Sequence, residues 1–88
     1  MVQRRNKMTK TKILNSLAEQ MSRQYKLHAH YVNKGEETMA SDAHSRAWAI
    51  YWCGLELLGE SYHDKLDEAR TNARRRGERF AEMLEDFA

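Results

Sequence analysis

The chain has 88 residues, of which 41% are hydrophobic and 32% charged, with four glycines, one cysteine and no proline. That length admits one domain with a thin core, and the lack of proline with so few glycines excludes turn-rich β-sandwiches and barrels. Fifteen Lys and Arg against thirteen Asp and Glu leave a net charge of +2, too even a balance to specify a polyanionic partner by itself.

Residues 1–8 are polar and basic, lack apolar periodicity, and are expected to form a flexible arm. Arg4, Arg5, Lys7, Lys10 and Lys12 put five positive charges and no negative one into the first twelve residues. The rest of the chain is therefore net acidic. These five are candidate nucleic-acid contacts, because a basic arm neutralises phosphates without needing fixed geometry. Lys10 and Lys12 interrupt any apolar run of the kind a secretory signal needs after its basic start.

A first helix is expected over residues 9–33. At about 100° per residue, Ile13, Leu14, Leu17, Met21, Tyr25, Tyr31 and Val32 fall on one side, joined by Gln24 and His28. Asn33-Lys34-Gly35 is a stop signal: a basic last turn, then a glycine able to take positive φ. So short a connection predicts that the second helix returns as an antiparallel neighbour.

The second helix is expected over residues 36–58, opened by the acids Glu36 and Glu37. Asp42, Ser45, Arg46, Ala49, Cys53, Glu56 and Glu60 make a narrow polar stripe. The remaining circumference is apolar in two halves. One is small or aliphatic (Ala43, Ala47, Ile50, Gly54, Leu57) and the other bulky (Trp48, Tyr51, Trp52, Leu55, Leu58 and later Tyr62). A surface helix needs a much narrower apolar face. This helix is accordingly expected at the centre of the bundle, flanked by the first and third. Its apolar stretch from Ala47 to Leu58 is broken by Glu56 and falls short of the ~18 residues of a membrane span.

Gly59 weakens helix continuation, and Ser61-Tyr-His-Asp64 has the pattern of a capping box. A third helix is expected over residues 61–86, with a continuous rod from the second helix as the alternative. Tyr62, Leu66, Ala69, Ala73, Gly77, Phe80, Leu84 and Phe87 recur at steps of three and four, close to heptad spacing. The small residues in the middle of this seam suit close approach to another backbone. The fold class is therefore all-α: an antiparallel helical hairpin plus a third helix, in a small bundle. More bulky surface remains on the second helix than one narrow seam covers. A homodimer built through Trp48, Tyr51, Trp52, Leu55, Leu58 and Tyr62 is the expected remedy.

Chemistry-bearing constellations are sparse. Glu60-x-x-His63 has the spacing of one half of a carboxylate-bridged di-metal site, but the first helix supplies no facing set of acids, so no metal or cofactor is expected. His28 and His30 point in different directions on a helix, and His28 reads as a hydrogen-bonded boundary residue. Cys53, the lone cysteine, is expected to be a buried, inert thiol, and it implies no disulfide and hence a cytoplasmic setting. Arg74, Arg75 and Arg76 wrap the cylinder rather than lining one face, with acids at helical spacing: Asp67 for Arg70, Glu78 for Arg74 and Arg75, Glu82 for Arg79.

The expected function is a non-enzymatic protein-interaction module, a homodimeric regulator or inhibitor of a partner protein. In general profile the chain resembles the small helical modulators that phages and mobile elements encode. The competing expectation is a nucleic-acid-associated protein gripping phosphates through residues 4–12, helped by Arg74, Arg75 and Arg76.

Overall fold

The computed structural model describes residues 9–87. Arg4, Arg5 and Lys7 of the expected arm lie outside them. Helix α1 spans Lys10–Asn33, α2 spans Glu37–Leu58, and α3 spans His63–Phe87, with a 3₁₀ turn at Glu60–Tyr62 before α3. No strand is present among the described residues.

Local chemistry sets these boundaries. Thr9 is extended, and its side chain accepts the backbone N–H of Lys12 at 3.1 Å, satisfying one of the orphan donors that open α1. After Asn33 the chain turns through Gly35, with Glu36 N–H donating back to Tyr31 at 2.9 Å. Gly59 ends α2 at φ 90°, a conformation that costs a residue with a Cβ but not glycine. The expected capping box does not form. The 3₁₀ turn follows Gly59 directly and takes in Ser61, which therefore does not stand at the N-cap of α3. A continuous rod from α2 into α3 is thereby broken.

The central helix is α1, not α2. It packs along both other helices, whereas α2 and α3 meet only over a short stretch running to the Gly59 turn. The reason lies in side-chain size. The large core residues Leu17, Met21 and Tyr25 belong to α1. The buried stripe of α2 is mostly small: Ala40, Ala43, Ala47 and Gly54, with Tyr51 and Leu58. On α3 the buried positions are Leu66, Ala73 and Gly77. Two seams of small residues thus receive large side chains from the helix between them, the alternation of large and small that fills a core without voids.

Gly77 and Gly54 mark the tightest approaches. A Cβ at Gly77 would lie 2.8 Å from Tyr25 Cβ and 2.9 Å from the Tyr25 carbonyl oxygen. A Cβ at Gly54 would lie 2.8 Å from a Leu66 methyl and 3.0 Å from a Leu17 methyl, so all three helices converge there. Met21, Leu58 and Leu66 are the largest fully buried side chains, each contributing roughly 1.5–3 kcal/mol of transfer free energy. The molecule measures 53 × 23 × 20 Å. With helices about 10–12 Å across, it is two helices thick, and among the described residues no element lies over the outer side of α2.

Candidate functional site

The expected contact residues on and beside α2 separate into three groups. Tyr51 and Leu58 belong to the core, at 4% and 1% exposure. Trp48, Leu55 and Tyr62 are half-buried. Trp52 is exposed at 58%. Tyr51 is the buried hub of this aromatic group. The Trp48 and Trp52 rings meet it edge-on at 5.6 and 5.3 Å, and His63 at 6.4 Å. Trp48 is further covered by the Arg70 guanidinium, 4.4 Å from its ring centroid. Tyr62 lies between two ammonium groups, Lys10 at 5.5 Å and Lys65 at 4.9 Å, and Lys10 also donates to the Leu58 carbonyl at 3.2 Å. Lys10 is therefore held at the end of α2, though like Lys12 it is exposed.

Two residues stand differently from their expected places. Leu57, assigned by its spacing to the covered aliphatic half, is 65% exposed. Cys53 is exposed, not buried. For Leu57 the reason is the path of the buried stripe, and for Cys53 it is membership of the polar stripe itself. The buried stripe of α2 runs through Ala43, Ala47, Tyr51, Gly54 and Leu58, straddling the two halves read from the helical wheel, and the outer flank of each half is left to solvent. Cys53 shares an arc with Asp42, Ala49 and Glu56, and that polar company was the available signal. Trp52, Cys53, Leu55, Glu56, Gly59 and Glu60 line a shallow groove at this end of the helix.

Behind Trp48, α3 is tied to the rest of the bundle by Arg70. Its guanidinium stacks on Trp48, lies 3.4 Å from an Asp67 carboxylate oxygen, and is largely shielded from solvent. The nearby Tyr25 hydroxyl, and then Asp67, hold the guanidinium above the ordinary arginine range against the opposing effect of burial. Even so, Tyr25 Oη and Arg70 Nε are buried with no hydrogen-bond partner of good geometry. On the other side of Tyr25, His28 Nδ1–H donates to the Ala40 carbonyl at 2.9 Å, linking α1 to the first turn of α2. His44 packs against both Tyr25 and His28, at 6.0 and 5.5 Å between ring centroids.

The arginine run divides by flank. Arg70 pairs with Asp67, and Arg74 lies 3.8 Å from Glu78. The expected pairs Arg75–Glu78 and Arg79–Glu82 do not reach ion-pair distance among the described residues, consistent with the small gain such exposed pairs offer. Arg76 instead turns toward α1, where it lines a notch with Glu19, Ser22, Arg23 and Lys26. Arg23 and Lys26 lie off the apolar side of α1 and are exposed. Their meeting with Arg76 depends on how α1 and α3 pack, which periodicity does not report.

Glu60 and His63 are both exposed, and His63 Nδ1 lies 3.3 Å from Asp64. Among the described residues no three His, Cys, Asp or Glu side chains converge as a metal site. No described helix is long and apolar enough to cross a membrane. No family model matches the chain, and neither a curated protein nor a solved structure shows significant similarity to it.

Proposed function

We propose that this chain is a non-enzymatic interaction module that works as a homodimeric regulator in the cytoplasm, pairing through the outer face of α2. In this reading its first two helices form an antiparallel hairpin, with Lys10 meeting Leu58 at one end and His28 meeting Ala40 at the other. The observation that carries the reading is the exposure of Trp52 and Leu57, at 58% and 65%, on either flank of the exposed Cys53. Burying a residue of this kind contributes roughly 1.5–3 kcal/mol, a large share of the ~5–15 kcal/mol that stabilises a typical domain. Five positions put Trp52 and Leu57 about 140° apart around α2, so a second copy related by a two-fold axis covers both by spanning the exposed arc of Asp42, Ala49, Cys53 and Glu56 between them. A chain of this size has few other sources of stability. The exposed, unpaired thiol of Cys53 suits a reducing compartment.

Sedimentation velocity over a dilution series tests the pairing. The expected result is a dimer that dissociates on dilution, with Trp52→Ser and Leu57→Ser together shifting the equilibrium to monomer while helix content stays unchanged. A wild-type chain that sediments as a monomer throughout rejects the reading.

A further inference from the structure

A second surface lies on the opposite side of the molecule, between α1 and α3, and does not depend on the pairing of α2. Two adjoining depressions run along it. The first is lined by Leu14, Ala18, Lys65, Glu68, Ala69 and Arg76, with Asn15 and Asn72 beside them. The second is lined by Glu19, Ser22, Arg23, Lys26 and Arg76. Arg76 lines both, so the two depressions adjoin along the α1–α3 seam. Four cations from two helices line it, and none is in an ion pair among the described residues. The arginines of α3 that do have carboxylate partners, Arg70 and Arg74, are not among its lining residues. The two acids in the groove, Glu19 and Glu68, leave it net positive.

We infer that this groove binds the phosphate backbone of duplex nucleic acid. Arg23, Lys26 and Arg76 are the exposed cations that line the second depression, while Ser22 beside them is buried. These three cations present only donors to an anionic oxygen, with Glu19 the one acid among them. Along α1 the groove extends from Leu14 to Lys26, roughly 18 Å at 1.5 Å per residue. One strand rises roughly 3.4 Å along the duplex axis per phosphate while also winding around it, so a straight groove of that length spans about three to four phosphates, close to one per lining cation. Its floor is Leu14, Ala18 and Ala69, with no aromatic ring on which an unpaired base stacks, so it favours a duplex backbone over a single strand. No base-reading element is present in the groove, and binding is independent of sequence. The cations engaged are Arg23, Lys26, Arg76 and Lys65, not the consecutive run Arg74, Arg75 and Arg76.

The test is fluorescence anisotropy of a labelled duplex of about 20 base pairs with the full chain, at low and moderate salt. The expected result is binding that weakens with salt at a log–log slope near −3 to −4, from roughly −0.9 per phosphate neutralised. Arg23→Gln, Lys26→Gln and Arg76→Gln together should weaken binding at least tenfold and flatten the slope by about three. Arg74→Gln with Arg75→Gln should change it less than threefold, and Glu19→Gln should tighten it. Circular dichroism confirms that each variant keeps its helix content. Deleting residues 1–8 should leave the groove's share of binding and its sensitivity to the triple change in place. The inference is overturned by absence of duplex binding at low salt, by a triple variant that binds like wild type, or by a triple variant no weaker than the Arg74/Arg75 control. It is equally overturned if only an acidic peptide or anionic vesicles compete for the groove. Light scattering on the same samples reports the α2 pairing separately, so either proposal fails without the other.

Discussion

Gly77 of α3 lies against the backbone of Tyr25 in α1, so close that an added Cβ would stand 2.9 Å from the Tyr25 carbonyl oxygen and 3.1 Å from its carbon. Backbone atoms cannot swing aside as a side-chain end can. Alanine at an ordinary helix position is about 1 kcal/mol better than glycine. Here the steric cost, about 1–3 kcal/mol for overpacking, wins. Gly77→Ala is therefore expected to lower the thermal midpoint by several degrees in a circular dichroism melt, roughly 4–8 °C per kcal/mol for a domain of this size. A raised midpoint would show that α1 and α3 do not cross there.

Tyr25 is buried in the core at 3% exposure, and its hydroxyl, though near the Arg70 guanidinium, makes no hydrogen bond of good geometry. A buried polar atom without a partner costs about 1–3 kcal/mol. Tyr25→Phe keeps the ring and deletes that atom, so it is expected to leave stability unchanged or to raise it by up to about 1 kcal/mol. Urea denaturation of the two proteins gives the difference. A clear loss of stability would mean that the hydroxyl is satisfied in the folded protein.

Arg70 sets a pH expectation. Its folded-state pKa is raised by Tyr25 first and then by Asp67. A raised basic group contributes its stability fully below its unfolded pKa and loses it only as pH climbs through the folded value. Both lie above the ordinary working range. The difference in urea midpoint between wild type and Arg70→Met is thus expected to be the same at about pH 6 and about pH 9. A difference that shrinks over that interval would contradict the assignment.

Cys53 reports on the outer face of α2. Its thiol is exposed in the single chain and stands beside Trp52. Under the pairing model a second copy covers it. A thiol-reactive dye should label it slowly in concentrated wild-type protein and quickly in Trp52→Lys, with the wild-type rate rising on dilution. Equal, concentration-independent rates would place the pairing face elsewhere.

Much of this arrangement is legible in the sequence. Asn33-Lys34-Gly35 and Gly59 are local signals read residue by residue, and they separate three helices because positive φ is a local demand. The heptad-like seam of α3 was equally legible, since Leu66, Ala73 and Gly77 are its buried members. Which helix lies at the centre was not. Apolar girth pointed to α2. Centrality went instead to α1, whose Leu17, Met21 and Tyr25 fit between the alanine and glycine seams of the other two. Size complementarity between helices is a property of pairs, and a wheel drawn for one helix does not contain it. The same limit hid the exposure of Leu57 and the meeting of Arg23 and Lys26 with Arg76.

The mass of the wild-type chain at tens of micromolar, measured by light scattering after size exclusion, bears most directly on the role assigned to Trp52 and Leu57. Twice the chain mass is expected, falling to a single chain mass when Trp52 is replaced by lysine. A wild-type protein that elutes at one chain mass contradicts the account.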